Sequence, residues 1–427
     1  MKIDRIDVTI QGGFDIDLPR MVPVEQRFPR EAVEDVEATL LASLAALPSP
    51  ALAGKRIAIT VGSRGTYGML TILATLARQL REWGAEPFIV PTMGSHGGAT
   101  AEGQLGVLAN YGITEDATGM PIHASMDVVE VGRLADGTPL YCDRIAHEAD
   151  GIVLLNKVKP HTSYKGTHES GLAKMAAIGL GKHKGAVTLH DHGFARFAEL
   201  IPAAGEKLIG ALNIVFGVAV LENAYHGVGL IEAIPPERIM AREKELLVTA
   251  KGFLGRLLVP SIDVLIVVEI GKNIGGSGMD TNVTGRPSIP QPGFEAPPIQ
   301  RIIVRGLTEE THGNGTGIGL ADFTTRRCFE QIDLGVSYTN VITATVPAAA
   351  KMPLIVNDDR EALVLALKTC NRVAPENARI VRITNTKELH HILISETCLA
   401  DCEGRTDVLA AGEARPIRFD DTGHLMG

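Results

Sequence analysis

The sequence predicts an α/β protein with two α/β domains, each built on a mostly parallel β-sheet. Short apolar runs that end in glycine-bounded turns alternate with stretches of helical period, as in 56–65, 69–85 and 87–98. The chain has 427 residues, which is enough for two domains. It holds 46 glycines and only 4% aromatic residues, which suits tight turns around aliphatic cores.

The strand-turn-helix pattern starts again near residue 260. Residues 1–20 alternate as a strand, 30–47 and 236–258 have the period of amphipathic helices, and 260–278 begins with a new apolar strand. We therefore predict an N-terminal domain at 1–259 and a C-terminal domain at 260–427, whose last segment can pack back on the N-terminal domain. The active site is expected in the cleft between the domains.

Charge and cysteine content exclude several classes of protein. The net charge of −9 argues against a general nucleic-acid binder, which needs a basic face. The five cysteines are scattered, as in a reducing cytoplasm, and the Cys398–Cys402 pair alone is a weak metal motif. No signal-peptide pattern and no apolar run of membrane-spanning length occur. These features predict a cytoplasmic protein without a membrane partner.

Four polar residues directly follow predicted strands. They are Arg64, His96, His161 and Lys272. Because ligands of open parallel sheets bind beyond the carboxyl ends of the strands, this shared position predicts a binding site. A strand-end histidine suits acid–base chemistry, and a strand-end arginine suits a carboxylate. The alternatives are turn hydrogen bonds for His96 and ion pairs for Arg64.

The segment 157–192 concentrates cationic side chains. It contains six lysines and five histidines but only two acidic residues. This composition predicts an anion-binding loop, in which backbone N–H groups near glycines approach a phosphate and lysines supply charge. The residues predicted for this role are Gly179, Gly181, Lys182 and Lys184. A basic surface loop with incidental histidines is the alternative.

His190 and His192 in this segment are two residues apart. On a strand they would face the same side, whereas on a helix they would not. A metal-binding pair is therefore one interpretation of this spacing, and it leaves open which of the two binds a metal.

Taken in order, these motifs resemble those of the nickel-pincer-nucleotide-dependent lactate racemase superfamily, with its lactate racemase-like (DUF2088-type) N-terminal domain. Pro160–His161 matches the Pro-His of that family, Ser170–Lys174 resembles its SGG-x-K block, and His190 stands sixteen residues beyond Lys174. Gly94–His96 is similar to the family's GTH turn, and Gly62–Arg64 is similar to its DGTR turn.

The resemblance implies an isomerase, namely a racemase or epimerase of a 2-hydroxy acid. The reaction would be proton-coupled hydride transfer to a nickel-pincer nucleotide through a keto-acid intermediate. The implied cofactor residue is Lys174, and the implied nickel ligand is His190, with His192 as a rival. We expect the recombinant protein to be purified without the cofactor, and the sequence leaves a homo-oligomer open.

The resemblance also implies the substrate contacts. His96 and His161 would be the two bases, and Arg64 and Lys272 would hold the carboxylate of a small-molecule hydroxy acid. Polar side chains near the motifs, such as Thr162 and Ser163, favour a polar substrate, for example a sugar acid or a dicarboxylic hydroxy acid.

Two other functions remain open from the sequence. One is a metal-dependent hydrolase or lyase with zinc on His190, His192 and a further histidine. The other is a non-catalytic protein that binds a hydroxy acid or a nucleotide.

Overall fold

The computed structural model describes residues 3–48 and 50–426, in which strands and helices alternate. In chain order the strands are β1 (Arg20–Gln26), β2 (Arg56–Val61), β3 (Glu86–Pro91), β4 (Val128–Arg133), β5 (Pro139–Asp143), β6 (Gly151–Lys157), β7 (Ile214–Glu222), β8 (Val228–Ile234), β9 (Ile262–Val267), β10 (Ile299–Val304), β11 (Phe323–Thr325), β12 (Leu354–Val356), β13 (Ile380–Ile383), β14 (His391–Ser395), β15 (Val408–Ala410) and β16 (Arg415–Pro416).

The α-helices are α1 (Val36–Ala45), α2 (Met69–Glu82), α3 (Ala101–Asn110), α4 (Glu115–Thr118), α5 (Arg144–His147), α6 (Leu172–Lys174), α7 (Lys182–His190), α8 (Phe197–Ala211), α9 (Ile239–Phe253), α10 (Thr281–Thr284), α11 (Arg326–Gln331), α12 (Leu334–Thr343), α13 (Asp359–Thr369) and α14 (Glu396–Ala400). One turn of π-helix, Met175–Gly179, follows α6. None of the described helices is long and apolar enough to cross a membrane.

The chain divides into two compact units. The middle unit is Pro29–Leu254, and the terminal unit joins Met1–Phe28 to Gly255–Gly427. This division differs from the predicted one, because β1 pairs antiparallel with β14 and β15 and so carries the N-terminal segment into the terminal unit. The strand predicted at residues 1–20 is wrong in its bounds, because residues 3–19 form no strand and β1 begins at Arg20. An alternating pattern also does not show which sheet a strand joins.

The middle unit has a five-stranded sheet of order β3-β2-β6-β7-β8. Its first four strands are parallel, and β8 is antiparallel to β7. Helix α2 buries Ile72, Leu76 and Leu80, which recur at helical spacing, in the core of this unit. Since β2 leads to β3 on one side while β6 leads to β7 on the other, the crevice beyond β2 and β6 is a topological switch point.

The terminal unit is built on a nine-stranded sheet. Its order is β12-β11-β10-β9-β13-β14-β1-β15, and β16 pairs with β1. The strands from β12 to β13 are parallel, and those beyond β13 are antiparallel. Two large sheets with parallel runs and crossover helices confirm the predicted α/β class.

The Cys398–Cys402 pair lies at and just after α14, and both side chains are buried. Burial raises the pKa of the Cys398 thiol to about 12, so this thiol stays protonated at neutral pH. A protonated thiol is a poor metal ligand, which agrees with a structural role.

Candidate functional site

Three of the four strand-end residues lie at one edge of the middle unit's sheet. Arg64, His96 and His161 follow the parallel strands β2, β3 and β6. The β2 and β3 turns also touch, because the Ser63 hydroxyl lies 3.0 Å from Nδ1 of His96. Lys272 follows β9 in the terminal unit, where its amine donates to the Gly276 carbonyl over 2.6 Å.

The centre of this edge is a contact between His161 and Lys174. Nε2 of the imidazole and Nζ of the lysine are 2.6 Å apart. Nδ1 of His161 accepts the Ser163 backbone N–H at 3.0 Å, so the neutral ring carries its proton on Nε2, facing the lysine. The imidazole then donates to the lone pair of a neutral Lys174 amine.

The surroundings favour these neutral forms. Burial, together with the charges of Arg64 and Lys159, lowers the pKa of the Lys174 amine to about 7. Burial and the neighbouring lysines, Lys174 foremost, lower the pKa of His161 well below its ordinary value. A lysine that is partly neutral at physiological pH can act as a nucleophile or as a base.

A fully buried carboxylate, Glu169, holds the loop that carries His161. It accepts the His161 backbone N–H at 2.6 Å and pairs with Lys251 at 2.8 Å and Lys165 at 3.3 Å. The Tyr164 hydroxyl donates to the Glu169 carbonyl over 2.7 Å. Sequence reasoning missed this residue, although an acid inside a strongly cationic segment was a signal for a structural ion pair.

A second buried carboxylate, Glu243, lies beneath Lys174. It accepts the backbone N–H groups of Ala173, at 2.9 Å, and Leu172, at the start of α6. Gly171 is required there, because a Cβ would stand 2.3 Å from the Glu243 carboxylate. Burial raises the pKa of Glu243 to about 7. Nothing in the sequence distinguished Glu243 from the other acids of the α9 pattern.

His190 ends helix α7, and its ring is fixed on both sides. Nδ1 lies 2.6 Å from the Ala186 carbonyl and donates to it, which leaves the lone pair on Nε2. The rings of Phe194 and Phe197 pack edge-on against it. Burial lowers the pKa of His190 to about 4, so the ring is neutral at physiological pH. A neutral imidazole with a fixed tautomer suits metal ligation.

His192 has a different environment from His190. Its Nε2 lies 3.0 Å from the Thr138 hydroxyl, beside Asp136. Because α7 ends at His190, the strand geometry that would align the two histidines does not form.

The residues predicted to cradle an anion are largely engaged in packing. Lys182 is fully buried, pairs with Asp143 at 3.1 Å and donates to Gln104 Oε1 and the Pro91 carbonyl. At Gly179 a Cβ would lie 2.6 Å from the Met175 sulfur, and at Gly181 it would lie 3.0 Å from the Gly185 Cα. The contacts of Lys182 therefore explain its presence without a phosphate.

Lys184 differs from Lys182 in that it is exposed. Its amine lies 4.5 Å from the centre of the Tyr141 ring, which is a cation–π distance.

Arg64 lies in the turn that follows β2. Burial lowers the pKa of its guanidinium. No carboxylate among the described residues forms an ion pair with it, so its guanidinium could bind an anionic ligand. In residues 3–48 and 50–426, no three or more His, Cys, Asp or Glu side chains form a group that could hold a metal ion.

Fold and site together define an α/β protein with a histidine–lysine centre at the carboxyl edge of a parallel sheet. Residues 21–197 match the family model described as the lactate racemase N-terminal domain. Residues 21–197 are therefore similar to the lactate racemase N-terminal domain, which confirms the resemblance that the motifs indicated. The match includes Arg64, His96, His161, Lys174 and His190 and supports racemase activity in general.

A solved structure shares the fold over most of the chain. It is the lactate racemase apoprotein from Thermoanaerobacterium thermosaccharolyticum, with a TM-score of 0.52 and 14% sequence identity. The similarity covers 86% of this chain and 99% of the other. No curated protein matches the sequence.

Proposed function

We propose that this protein is an isomerase that racemises or epimerises a 2-hydroxy acid by proton-coupled hydride transfer to a nickel-pincer nucleotide. The observation that carries the proposal is the His161–Lys174 contact within a lactate racemase N-terminal domain. A buried amine with a pKa near 7, beside a neutral histidine, is a costly arrangement that a structural role does not require.

The residues present fit the nickel-pincer nucleotide. The Lys174 amine has the neutral form that a covalent or close contact with the cofactor requires. His190 offers Nε2 as a nickel ligand, and its Nδ1 is oriented by the Ala186 carbonyl. A single protein ligand is sufficient, because the pincer itself supplies the other donor atoms. When bound, the cofactor supplies a hydride acceptor for the substrate carbon.

The protein's part is to move the hydroxyl proton and to hold the carboxylate. His161 would serve one enantiomer in the tautomer that frees its Nε2 lone pair, and His96 would serve the other. His96 donates its Nδ1 proton to the Met93 carbonyl at 2.8 Å, so the Nε2 lone pair can accept a proton. The guanidinium of Arg64 would bind the carboxylate, and Lys272 of the terminal unit is expected as a second contact.

The zinc hydrolase is the weaker candidate. It requires three protein ligands, and the described parts of the chain bring no such group together. His190 and His192 also have separate partners, the Ala186 carbonyl and the Thr138 hydroxyl.

The test is inversion by the full chain, co-expressed with cofactor-synthesis proteins and assayed on enantiopure 2-hydroxy acids by chiral chromatography. His161→Asn and His96→Asn should each lower kcat/KM by about 10²-fold or more, as for loss of a general base. His183→Asn, an exposed site on α7, is the matched control and should change little. A nickel-loaded protein that binds these acids without inverting any of them is a binding protein, which would contradict the proposal.

A further inference from the structure

We infer that the middle unit binds 2-hydroxy acids whose side chain is aryl or branched alkyl. The inference rests on the proposed function, and it assigns the substrate class of the same site. The observation is a cavity of about 330 Å³ against the β2 turn, beside Arg64. This volume lies at the lower end of the range for small-molecule pockets, roughly 300–1,000 Å³.

The wall of the cavity combines one cation and two threonines with larger aliphatic and aromatic side chains. Its floor is backbone, since Gly62, Gly65 and Gly68 all line it. The side chains with most bearing on specificity are Arg64, Tyr67, Met69, Leu70, Tyr111 and Ile113. No acidic residue and no second basic residue lines the cavity. A ligand with one carboxylate and a largely apolar remainder matches this chemistry, whereas a second carboxylate would lack a cationic partner.

The apolar side chains at this cavity are unusually exposed. Tyr67 is 63% exposed, Leu70 39% and Tyr111 38%. Solvent-exposed apolar side chains grouped around one guanidinium are typical of a ligand site. A ligand that covers them removes apolar surface from water. The Tyr111 ring already packs over Gly65, where a Cβ would stand 2.7 Å from the ring. A flat substrate side chain could stack in the same manner.

The cavity adjoins the histidine–lysine centre. Gly62, which lines the cavity, packs against Met175, the residue directly after Lys174. A Cβ at position 62 would lie 3.3 Å from the methyl group of Met175. The charge of Arg64 also contributes to the lowered pKa of Lys174. A carboxylate on Arg64 therefore leaves the reacting carbon near Lys174 and the side chain in the apolar cavity.

Two of the polar side chains near the motifs, Thr162 and Tyr164, are buried in their own loop. Thr162 is buried, and Tyr164 is fully buried with its hydroxyl on the Glu169 carbonyl. These two groups stabilise their own loop, so they do not support the expectation of a sugar acid or a dicarboxylic acid.

The experiment is calorimetric titration of the nickel-loaded full chain with lactate, malate, 2-hydroxy-4-methylpentanoate and 3-phenyllactate. We expect the Kd for 3-phenyllactate to be at least about tenfold lower than for lactate or malate. Leu70→Asn should reduce this preference about tenfold. Leu105→Asn is the matched control, because Leu105 is 38% exposed, as Leu70 is, but does not line the cavity.

Three results would overturn the inference: equal or tighter binding of lactate or malate, equal effects of the two leucine variants, or no binding of any acid. The inversion assay separates this inference from the proposed function. Inversion of lactate without a side-chain preference overturns the pocket assignment alone. Selective binding of 3-phenyllactate without inversion of any acid overturns the racemase alone.

Discussion

Lys174 places a buried amine against the imidazole of His161. Its amine faces a histidine nitrogen that already carries a proton, and Arg64 and Lys159 surround it with positive charge. The neutral amine is favoured in the folded state, because protonation would add a charge to a partly buried, cationic site.

Acylation of the cofactor-free protein tests this property of Lys174. The pKa of an ordinary lysine is about 10.4, whereas that of Lys174 is lowered to about 7. Lys174 should therefore be acetylated by acetic anhydride with a pH midpoint near 7, measured peptide by peptide with mass spectrometry. The other lysines in the same spectra are the internal reference. A midpoint for Lys174 near 10 would contradict this account.

Nickel content tests the assignment of His190. His190→Ala should lower the nickel bound per chain at least tenfold after co-expression, because the single protein ligand is lost. His183→Ala, on the same helix but exposed, and His192→Ala should retain the metal. Loss of nickel in His192→Ala but not in His190→Ala would reverse the assignment.

Motif spacing grouped His161 with Lys174, and the structure brings these two side chains into contact. The role of His190 stays a prediction. The sequence pattern failed for Lys182, because a lysine in a glycine-rich segment looks the same whether it faces solvent or a buried carboxylate. The partner of Lys182, Asp143, lies 39 positions earlier in β5, and only the fold brings the two together.

At the scale of elements, the short helix α6 is held by Glu243. The carboxylate is fully buried, and its Oε1 has no hydrogen-bond partner in the described structure. Its pKa rises from 4.5 to about 7 on folding, so the folded protein binds this proton more tightly than the unfolded chain does. Stability from this group is complete below about pH 4.5 and is lost as the pH rises through 7.

Glu243→Gln should remove this pH dependence. Glutamine does not ionise, so the unfolding free energy of the variant should rise relative to that of the unmodified protein as the pH increases. Between pH 4.5 and pH 8 this relative gain should be about 3 kcal/mol. Urea denaturation at several pH values measures the difference. Glu237→Gln, at an exposed position before α9, is the control and should show no such trend. A constant difference across this range would show that the pKa of Glu243 is the same in the folded and the unfolded protein.

At the scale of the whole molecule, the N-terminal segment belongs to the terminal unit. β1 lies between β14 and β15, and apolar residues of the segment, Val8, Phe14 and Leu18 among them, pack on the core that α13 covers. Without this segment the unit would expose two strand edges and part of its core.

Fragments of the chain test this division. Residues 29–254 alone should unfold cooperatively in urea, because their sheet and core are complete. Residues 255–427 should be unfolded or aggregated alone and should become structured when residues 1–28 are fused to them. Cooperative unfolding of 255–427 without the segment would contradict the role given to β1.

The α/β class was predictable because strand and helix periods are local properties of the sequence. The pairing of β1 with β14 was not, since it joins residues more than 360 positions apart, such as Met21 and Ser395. The same limit applies to the apolar cavity, whose wall combines the β2 turn with Tyr111 and Ile113 from beyond α3.

Under the proposed function, the hydrogen on the 2-carbon of the substrate moves as a hydride and is not abstracted as a proton. Racemisation of an enantiopure 2-hydroxy acid by the nickel-loaded protein in D₂O tests it most directly. We expect inversion in which the product retains the original hydrogen at the 2-carbon, as measured by NMR. Inversion with deuterium at that carbon, or no inversion of any acid, would contradict it.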